Sequence, residues 1–368
     1  MRSRPRPLTW CITHPTGSSA LKIWLAAAGL LLCSLAAISV TAQEQTASEY
    51  FASRLPRWFP VPKIPVDNPI SDAKVELGRL LFYDERLSGN GTYSCGSCHQ
   101  QALAFTDGLA HAIGSTGESH SRSTMSLANV VYNASFGWND RRWSLEAQIE
   151  VPMQNQHPIE MGFKGRETEV LARFATSSRD VERFRAAFPG DESPVSLPNM
   201  VKAIASFERV LVSADSPFDR YLFADDRSGM SPAARRGVTL FFSDRLRCSE
   251  CHGSINFSGP TLFAGTMPSD PEAFFHDTGV ATLPAKFRAP TLRNIAVTAP
   301  YMHDGSISTL PGVVEHYARG GRPREGKSDR VAGFAISPSQ IDDLVAFLQS
   351  LTDEKFLTNP AFSNPHIK

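Results

Sequence analysis

One five-residue pattern, CxxCH, occurs twice and constrains this chain more than any other feature. It spans residues 95–99 and again residues 248–252. In such a motif the two thiols add across the vinyl groups of a haem, and the adjacent histidine ligates the iron. We therefore predict two covalently bound c-type haems. The residues predicted to hold them are Cys95, Cys98 and His99 in the first motif and Cys248, Cys251 and His252 in the second. A zinc site built from the two cysteine pairs is the alternative, but it leaves both histidines without a role.

The N-terminal segment has the pattern of a secretory signal. Several arginines precede an uncharged run from Ile23 to Val40, and the small residues Thr41 and Ala42 follow it. This pattern predicts a cleaved signal peptide at residues 1–42 and a periplasmic protein. An uncleaved membrane anchor is the alternative, because the apolar run just reaches the length that spans a bilayer.

Cysteine usage and charge narrow the class further. The chain has six cysteines, and the four that follow the signal all belong to CxxCH motifs, so none is left for a structural disulfide. Lysine plus arginine and aspartate plus glutamate number 37 each, and this balance does not indicate nucleic acid as a partner. The length of 368 residues favours two domains over one.

The segments that precede the two motifs repeat each other at identical spacing. The repeated residues are Gly78, Leu81, Phe82, Arg86 and Leu87 before the first motif and Gly237, Leu240, Phe241, Arg245 and Leu246 before the second. Two unrelated amphipathic helices with similar cores would share part of this pattern. Because both copies lead into CxxCH, we favour a duplicated cytochrome c-like domain.

Helical periodicity dominates the rest of the chain, and strand signals are scarce. The predicted helices begin after Ser71, cover residues 143–149, 168–174, 181–188 and 197–211, start again at Ser231, and end the chain at 309–317 and 337–351. We interpret Asp215-Ser216-Pro217 as a break between domains. The predicted fold is mainly α, with an N-terminal haem domain at 43–225 and a C-terminal haem domain at 226–368.

This layout resembles the bacterial dihaem cytochrome c peroxidase and MauG superfamily over nearly the whole chain after the signal. The strings that carry the resemblance include LGRLLFYDERLSGNGTYSCGSCHQ, LANVVYNASFGW and APTLRNIAVTAPYMHDGSISTL. The strings AFTDG, NPISDAKVELGR and SFERVLVSADSPFDRYL are most similar to the MbnH branch. Members of that branch work with a copper-binding partner protein, MbnP, and their inferred reaction oxidises a tryptophan of MbnP to kynurenine. The resemblance implies such a partner here.

The resemblance also implies roles around the first haem. His99 would be the proximal ligand of the peroxide-binding haem, and Gln148 and Glu160 match the distal residues that line the peroxide site. A carboxylate there can move a proton between the two peroxide oxygens. Gln156-His157 looks like a two-residue insertion before Glu160, which departs from the family pattern. A solvated helix face for Gln148 and a capping role for Glu160 are the alternatives.

Around the second haem the resemblance implies an electron path and a sixth ligand. Trp138 corresponds to the tryptophan between the haems. The alternative is that Trp138 is a large core aromatic that packs the junction between the domains. Tyr317 stands where electron-accepting peroxidases of this layout place methionine, and MauG and MbnH use tyrosine there. A phenolate stabilises high-valent iron, whereas methionine favours the reduced state. The rival ligands are His316, Met302 and His303, and Tyr317 could instead be an ordinary interfacial tyrosine.

A calcium ion between the haems is common in peroxidases of this layout. The backbone carbonyls of Thr298 and Pro300 match two of its ligands, whereas Ser123 replaces the usual asparagine. Calcium prefers oxygen ligands, so we expect a calcium site at Thr298 and Pro300 that is weakened by the change at Ser123.

The predicted function is that of a periplasmic dihaem peroxidase-like oxidase, which uses H2O2 to form a high-valent two-iron state. That state would oxidise a residue of a partner protein, first of all a tryptophan of an MbnP-like copper-binding protein. One alternative is a cytochrome c peroxidase, which reduces H2O2 to water with electrons from a small redox protein. Another is a non-catalytic dihaem electron carrier, in which His111 or His120 would close the first haem. We expect no stable membrane association once the signal is cleaved.

Overall fold

The computed structural model describes residues 47–259, 274–280 and 285–367, so the predicted signal peptide at 1–42 lies outside it. The described part is mainly helical, as predicted. Besides the helical residues 47–52, its α-helices of more than four residues are α1 (Asp72–Phe82), α2 (Leu145–Gln154), α3 (Glu167–Ala175), α4 (Ser178–Ala187), α5 (Leu197–Arg209), α6 (Pro217–Phe223), α7 (Pro232–Phe241), α8 (Leu310–Ala318), α9 (Pro338–Gln349) and α10 (Glu354–Thr358). Two short strands, β1 (Phe275–His276) and β2 (Phe287–Arg288), pair in antiparallel orientation. None of the helices in these ranges is long and apolar enough to span a membrane.

Serine side chains cap the N-termini of several of these helices. Ser71 accepts a hydrogen bond from the backbone N–H of Lys74, and Ser231 accepts one from that of Ala234. A hydroxyl at this position satisfies an N–H group that the helix leaves free, and both predicted helix starts are confirmed. Ser216 caps α6 in the same way, at the position that we interpreted as a domain break. The predicted boundary between residues 225 and 226 falls between α6 and α7 and stays a prediction.

The glycine that is repeated before each motif lies at a helix crossing. A β-carbon on Gly78 of α1 would lie 1.9 Å from the carbonyl oxygen of Ala203 in α5. A β-carbon on Gly237 of α7 would lie 2.0 Å from the carbonyl oxygen of Asp343 in α9. Protein interiors are close-packed, so only glycine lets these backbones approach so closely. The repeated sequence pattern therefore produces the same helix pair in each half of the chain.

Each helix pair encloses an aromatic core. In the N-terminal half, the buried Phe82 contacts Phe105 and Phe207, with ring centroids 6.1 and 5.2 Å apart. In the C-terminal half, Phe241 is the repeat equivalent of Phe82, and its ring centroid lies 5.0 Å from that of Phe347. Burying one such side chain stabilises a fold by about 1.5–3 kcal/mol. The repeated apolar positions thus supply the core of both halves.

A pair of asparagines joins the two halves. Asn129 and Asn294 both have left-handed backbone conformations, with φ of 60° and 58°, and each precedes a short 3-10 helix. The Asn129 amide donates to the Ser213 carbonyl oxygen at 3.0 Å, and the Asn294 amide donates to the Ser213 hydroxyl at 3.0 Å. All three residues are fully buried. The strings LANVVY and LRNIAV are therefore structural equivalents that meet at Ser213.

Candidate active site

The histidines of the two motifs have the same local geometry. His99 Nδ1 donates to the carbonyl oxygen of Phe105 at 2.7 Å, and His252 Nδ1 donates to that of Phe257 at 3.0 Å. Both phenylalanines have positive φ, 63° and 48°. This bond fixes the ring and leaves Nε2 as the free lone-pair donor, which is the arrangement of metal-ligating histidines. Burial lowers the pKa of both imidazoles and keeps them neutral.

The four motif cysteines are free thiols that are half-buried. Burial raises the pKa of Cys98 to about 11 and that of Cys248 to about 12, so these thiols are neutral at ordinary pH. Cys95–Cys98 form a four-residue helix, and a 3-10 helix spans Cys248–Glu250. None of the four forms a disulfide, so all remain available for attachment of a haem.

A cavity of about 240 Å³ lies beside the second motif, and we call it the second cavity for that reason. It is lined by Cys248, Cys251 and His252. Most of its other lining residues are apolar. Among the described residues no aspartate or glutamate lines it, whereas four arginines do. They are Arg245, Arg247, Arg288 and Arg330. A haem has an apolar ring and two carboxylates, and the lining therefore fits this group in both polarity and charge.

The structure places the candidate ligands of the second haem differently. Tyr317 lines the cavity, and burial raises the pKa of its phenol. His316 does not line the cavity, and its Nε2 is hydrogen-bonded to the carbonyl oxygen of Thr278 at 3.0 Å. Met302 and His303 also line the cavity. The His303 ring stacks on Phe287, with centroids 3.8 Å apart, so this side chain takes part in aromatic packing.

Trp138 and the predicted calcium ligands share the wall of the same cavity. Trp138 Nε1 donates to the carbonyl oxygen of Ser123 at 2.8 Å. The Ser123 hydroxyl donates to the carbonyl oxygen of Met302 at 3.0 Å. Ser123, Thr298 and Pro300 line the cavity together with Trp138. Within the described ranges no cluster of three or more acidic, histidine or cysteine side chains is placed to hold a metal ion. Calcium here would thus depend mainly on backbone oxygens.

Gln148 has a buried polar atom without a partner. It lies on α2, and no described residue forms a hydrogen bond with its Oε1. A buried acceptor that makes no hydrogen bond costs about 1–3 kcal/mol, so this atom indicates a missing polar group next to it. A bound molecule with a hydroxyl hydrogen would satisfy it.

Glu160 lies within a small polar group. Its Oε1 accepts a hydrogen bond from Asn155 Nδ2 at 3.1 Å and lies 3.8 Å from His120 Nε2. Gln156 and His157 are exposed, so the predicted insertion turns into solvent rather than toward Glu160. Of the two loop histidines considered as ligands, His111 is exposed and His120 is the one near Glu160.

Two residues near the cofactor sites were not identified from the sequence. Arg288 lines the second cavity, and the Tyr93 hydroxyl lies 3.5 Å from Cys98 Sγ. Tyr93 is two residues before the first motif, and this proximity is a signal that could have been used. Arg288 has no comparable signal, because its burial depends on β2 and on the loop that carries Trp138.

Two family models match the chain. One described as Di-haem cytochrome c peroxidase matches residues 72–227, and one described as Cytochrome c matches residues 234–352. These matches confirm the predicted fold class of two cytochrome c-like domains. Together with the two CxxCH motifs, they imply two haems.

Several named proteins are similar in sequence to this chain over most of its length. It is 33% identical to the methylamine utilization protein MauG of Methylorubrum extorquens over 327 residues, which are 88% of this chain and 90% of that protein. It is 34% identical to cytochrome c551 peroxidase of Pseudomonas aeruginosa over 298 residues, 78% and 81% of the two chains. The crystal structure of a MauG-like protein associated with microbial copper homeostasis covers 84% of this chain and 98% of its own, with 39% identity and a TM-score of 0.79. The chain therefore belongs to the di-haem cytochrome c peroxidase and MauG family of oxidoreductases.

Proposed function

We propose that this protein is an exported, periplasmic oxidase that uses hydrogen peroxide to oxidise a side chain of a partner protein. The observation that carries the proposal is the position of Tyr317, which lines the second cavity while His316 is hydrogen-bonded to Thr278. An oxygen ligand such as tyrosinate stabilises oxidised iron, whereas methionine raises the reduction potential. A tyrosine at this cavity thus supports oxidation of a substrate over acceptance of electrons.

Bound haem supplies the iron at which the O–O bond of peroxide is cleaved and at which oxidising equivalents are retained. His99 and His252 would hold the irons through Nε2, since the Nδ1–H of each ring is bonded to a backbone carbonyl. That second bond orients the ring and increases its basicity, which strengthens the histidine as a ligand.

Gln148 and Glu160 serve the peroxide site. The unpartnered Gln148 Oε1 can accept a hydrogen bond from peroxide. Glu160, oriented by Asn155, can take a proton from one peroxide oxygen and return it to the other, so that the departing oxygen leaves as water. Reduction of one peroxide to two waters takes up two protons and two electrons, and the partner protein therefore loses two electrons per peroxide.

Trp138 is the residue that would conduct electrons between the two haems. Its ring is fixed by the hydrogen bond to Ser123 and by edge-on contacts with Phe287 and His303, at centroid distances of 6.5 and 6.4 Å. A fixed aromatic ring on the cavity wall needs little reorganisation when it gains or loses an electron. The carbonyls of Thr298 and Pro300, on the same wall, are the proposed calcium ligands.

The expected partner is a small exported copper-binding protein of the MbnP type, and the expected target is one of its tryptophans. The support is the MauG-like structure that is associated with copper homeostasis, which is 39% identical to this chain and covers 84% of it.

The test combines the purified diferric protein, hydrogen peroxide and an MbnP-type protein from the same genome, and it measures the mass of the partner's tryptophan-containing peptides. We expect a peroxide-dependent mass change of tryptophan to kynurenine with the native protein and none with Tyr317→Met. Each conversion removes four electrons and therefore consumes two peroxides; water supplies the added oxygen atoms, and hydrolysis of the formylated product releases one carbon as formate. An unmodified partner, combined with rapid oxidation of a reduced small cytochrome, would contradict the proposal.

A cytochrome c peroxidase is the second candidate, because Met302 also lines the second cavity. Methionine ligation would favour reduced iron and uptake of electrons from a small redox protein. A thioether-to-iron charge-transfer band in the ferric spectrum, lost in Met302→Leu, would support this candidate.

A further inference from the structure

Arg288 is a buried cation that pairs with no acidic side chain among residues 47–259, 274–280 and 285–367. The residue is 5% exposed and lines the cavity of the second motif. Its Nε donates to the carbonyl oxygen of Gly137 at 2.8 Å, and its Nη2 lies 3.9 Å from Met125 Sδ. In the part of the chain that the structure describes, no carboxylate pairs with this guanidinium and no hydrogen bond uses Nη1. Burial alone lowers its pKa to about 10, so the side chain remains charged. A buried charge without a partner is strongly unfavourable, and a carboxylate bound in the cavity would complete the site.

The other arginines of this cavity have partners. Arg247 and Arg330 both pair with Glu250, at 2.5 and 3.6 Å. Arg245 donates to the carbonyl oxygen of Ala335. Arg288 therefore differs from all three in burial, and from Arg247 and Arg330 also in having no acidic partner among the described residues, although all four line the same cavity.

We propose that Arg288 binds a propionate carboxylate of the haem in the second cavity. The planar guanidinium matches a carboxylate, and Nη1 and Nη2 remain for it because Nε is bonded to Gly137. The inference rests on haem at the second motif and does not depend on which substrate the protein oxidises.

The same residue connects the propionate to the electron path. The Arg288 backbone N–H donates to the carbonyl oxygen of Trp138 at 3.0 Å, and the side chain holds the neighbouring Gly137 carbonyl. Arg288 is thus a positioning residue, which fixes the loop of Trp138 relative to the haem. Its positive charge also offsets the propionate, and its removal leaves an extra negative charge that stabilises ferric iron.

The test uses the protein with both haems attached, verified by intact mass, and compares Arg288→Gln, Arg288→Lys and the control Arg227→Gln. The readouts are the midpoint potential of each haem in mildly alkaline buffer and the propionate bending mode in the resonance Raman spectrum. We expect Arg288→Gln to lower the potential of one haem and to shift its propionate mode. Arg288→Lys should keep the potential near that of the native protein but shift the mode. Arg227→Gln should change neither, because Arg227 is exposed, pairs with Asp225 and does not line the cavity.

Unchanged potentials and an unchanged propionate mode in Arg288→Gln would overturn the proposal, as would an equal effect of Arg227→Gln. If Arg288→Gln does not retain the second haem, Arg288→Lys decides: a shifted mode supports the proposal and an unchanged mode contradicts it. None of these readouts involves the partner protein, so a failure here is distinct from a failure of the proposed oxidase function.

Discussion

Gly78 and Ala203 meet backbone to backbone where α1 crosses α5, so closely that a β-carbon on Gly78 would lie 1.9 Å from the Ala203 carbonyl oxygen. Gly237 and Asp343 repeat this relationship between α7 and α9. In each half, the first helix of the pair leads into a CxxCH motif. The close approach therefore fixes the helix that precedes each motif, and with it the position from which the motif histidine starts.

Replacing either glycine with alanine should destabilise the protein. Gly78→Ala and Gly237→Ala each force the crossing helices apart, and overpacking of this kind costs about 1–3 kcal/mol. The measurement is the free energy of unfolding from denaturant titration of the protein with both haems. Gly229→Ala is the control, because its β-carbon would lie 3.5 Å from the nearest atom. Native stability in Gly78→Ala would show that the helices can separate without cost.

Glu160→Gln should slow the reaction with peroxide and leave both haems in place. Loss of a general acid or base reduces the rate by about 10²–10⁴-fold, and stopped-flow absorbance after mixing with peroxide measures it. Glu150→Gln on the exposed face of α2 is the matched control and should react at the native rate. A native rate in Glu160→Gln would remove Glu160 from the proposed mechanism.

Glu208 should make the protein less stable as the pH rises. Burial raises the pKa of this carboxyl from 4.5 to about 8. Between these values the folded state holds a proton that the unfolded state has released, so stability is highest below the lower value and declines through the window. The expected decline is on the order of 1 kcal/mol per pH unit. Glu208→Gln should abolish it, whereas the exposed Glu150→Gln should not. Parallel pH profiles for the native protein and Glu208→Gln would contradict the assignment.

The parts of the fold that depend on local sequence could be predicted. Both CxxCH motifs, the helix caps at Ser71 and Ser231, and the repeated glycine all act on neighbouring residues or recur at fixed spacing. Helix α6 was missed because Ser216-Pro217 marks both a domain break and a helix start, and only the fold separates the two.

The parts of the site that depend on tertiary burial could not be predicted. Nothing local in the sequence distinguishes Arg288, which is buried without an acid, from Arg330, which pairs with Glu250. Likewise, the sequence leaves His316 as a rival to the favoured ligand Tyr317, and the two residues differ in where α8 places them. The roles of Gln148 and Glu160 depend on tertiary contacts, such as the hydrogen bond from the Ser115 backbone N–H to the Glu160 carbonyl oxygen, and they stay predictions.

The ligand of the second haem can be identified with one pair of variants. Tyr317→Phe removes the only atom with which this side chain could bind iron and should alter the ferric spectrum of one haem. His316→Gln removes the imidazole that is bonded to Thr278 and should leave that spectrum unchanged. An unchanged spectrum in Tyr317→Phe, with a change in His316→Gln, would reverse the assignment.

The most direct test of the account is the reaction of the diferric protein with peroxide in the absence of any reductant. Tyrosine at the second iron favours its oxidised states. The native protein should therefore react without prior reduction and retain two oxidising equivalents, which back-titration with a one-electron reductant counts. Tyr317→Met should keep both haems and react only after partial reduction. If the native protein is inert in the diferric state and reacts only after one haem has been reduced, the protein is an electron-accepting peroxidase and the proposed oxidase function is wrong.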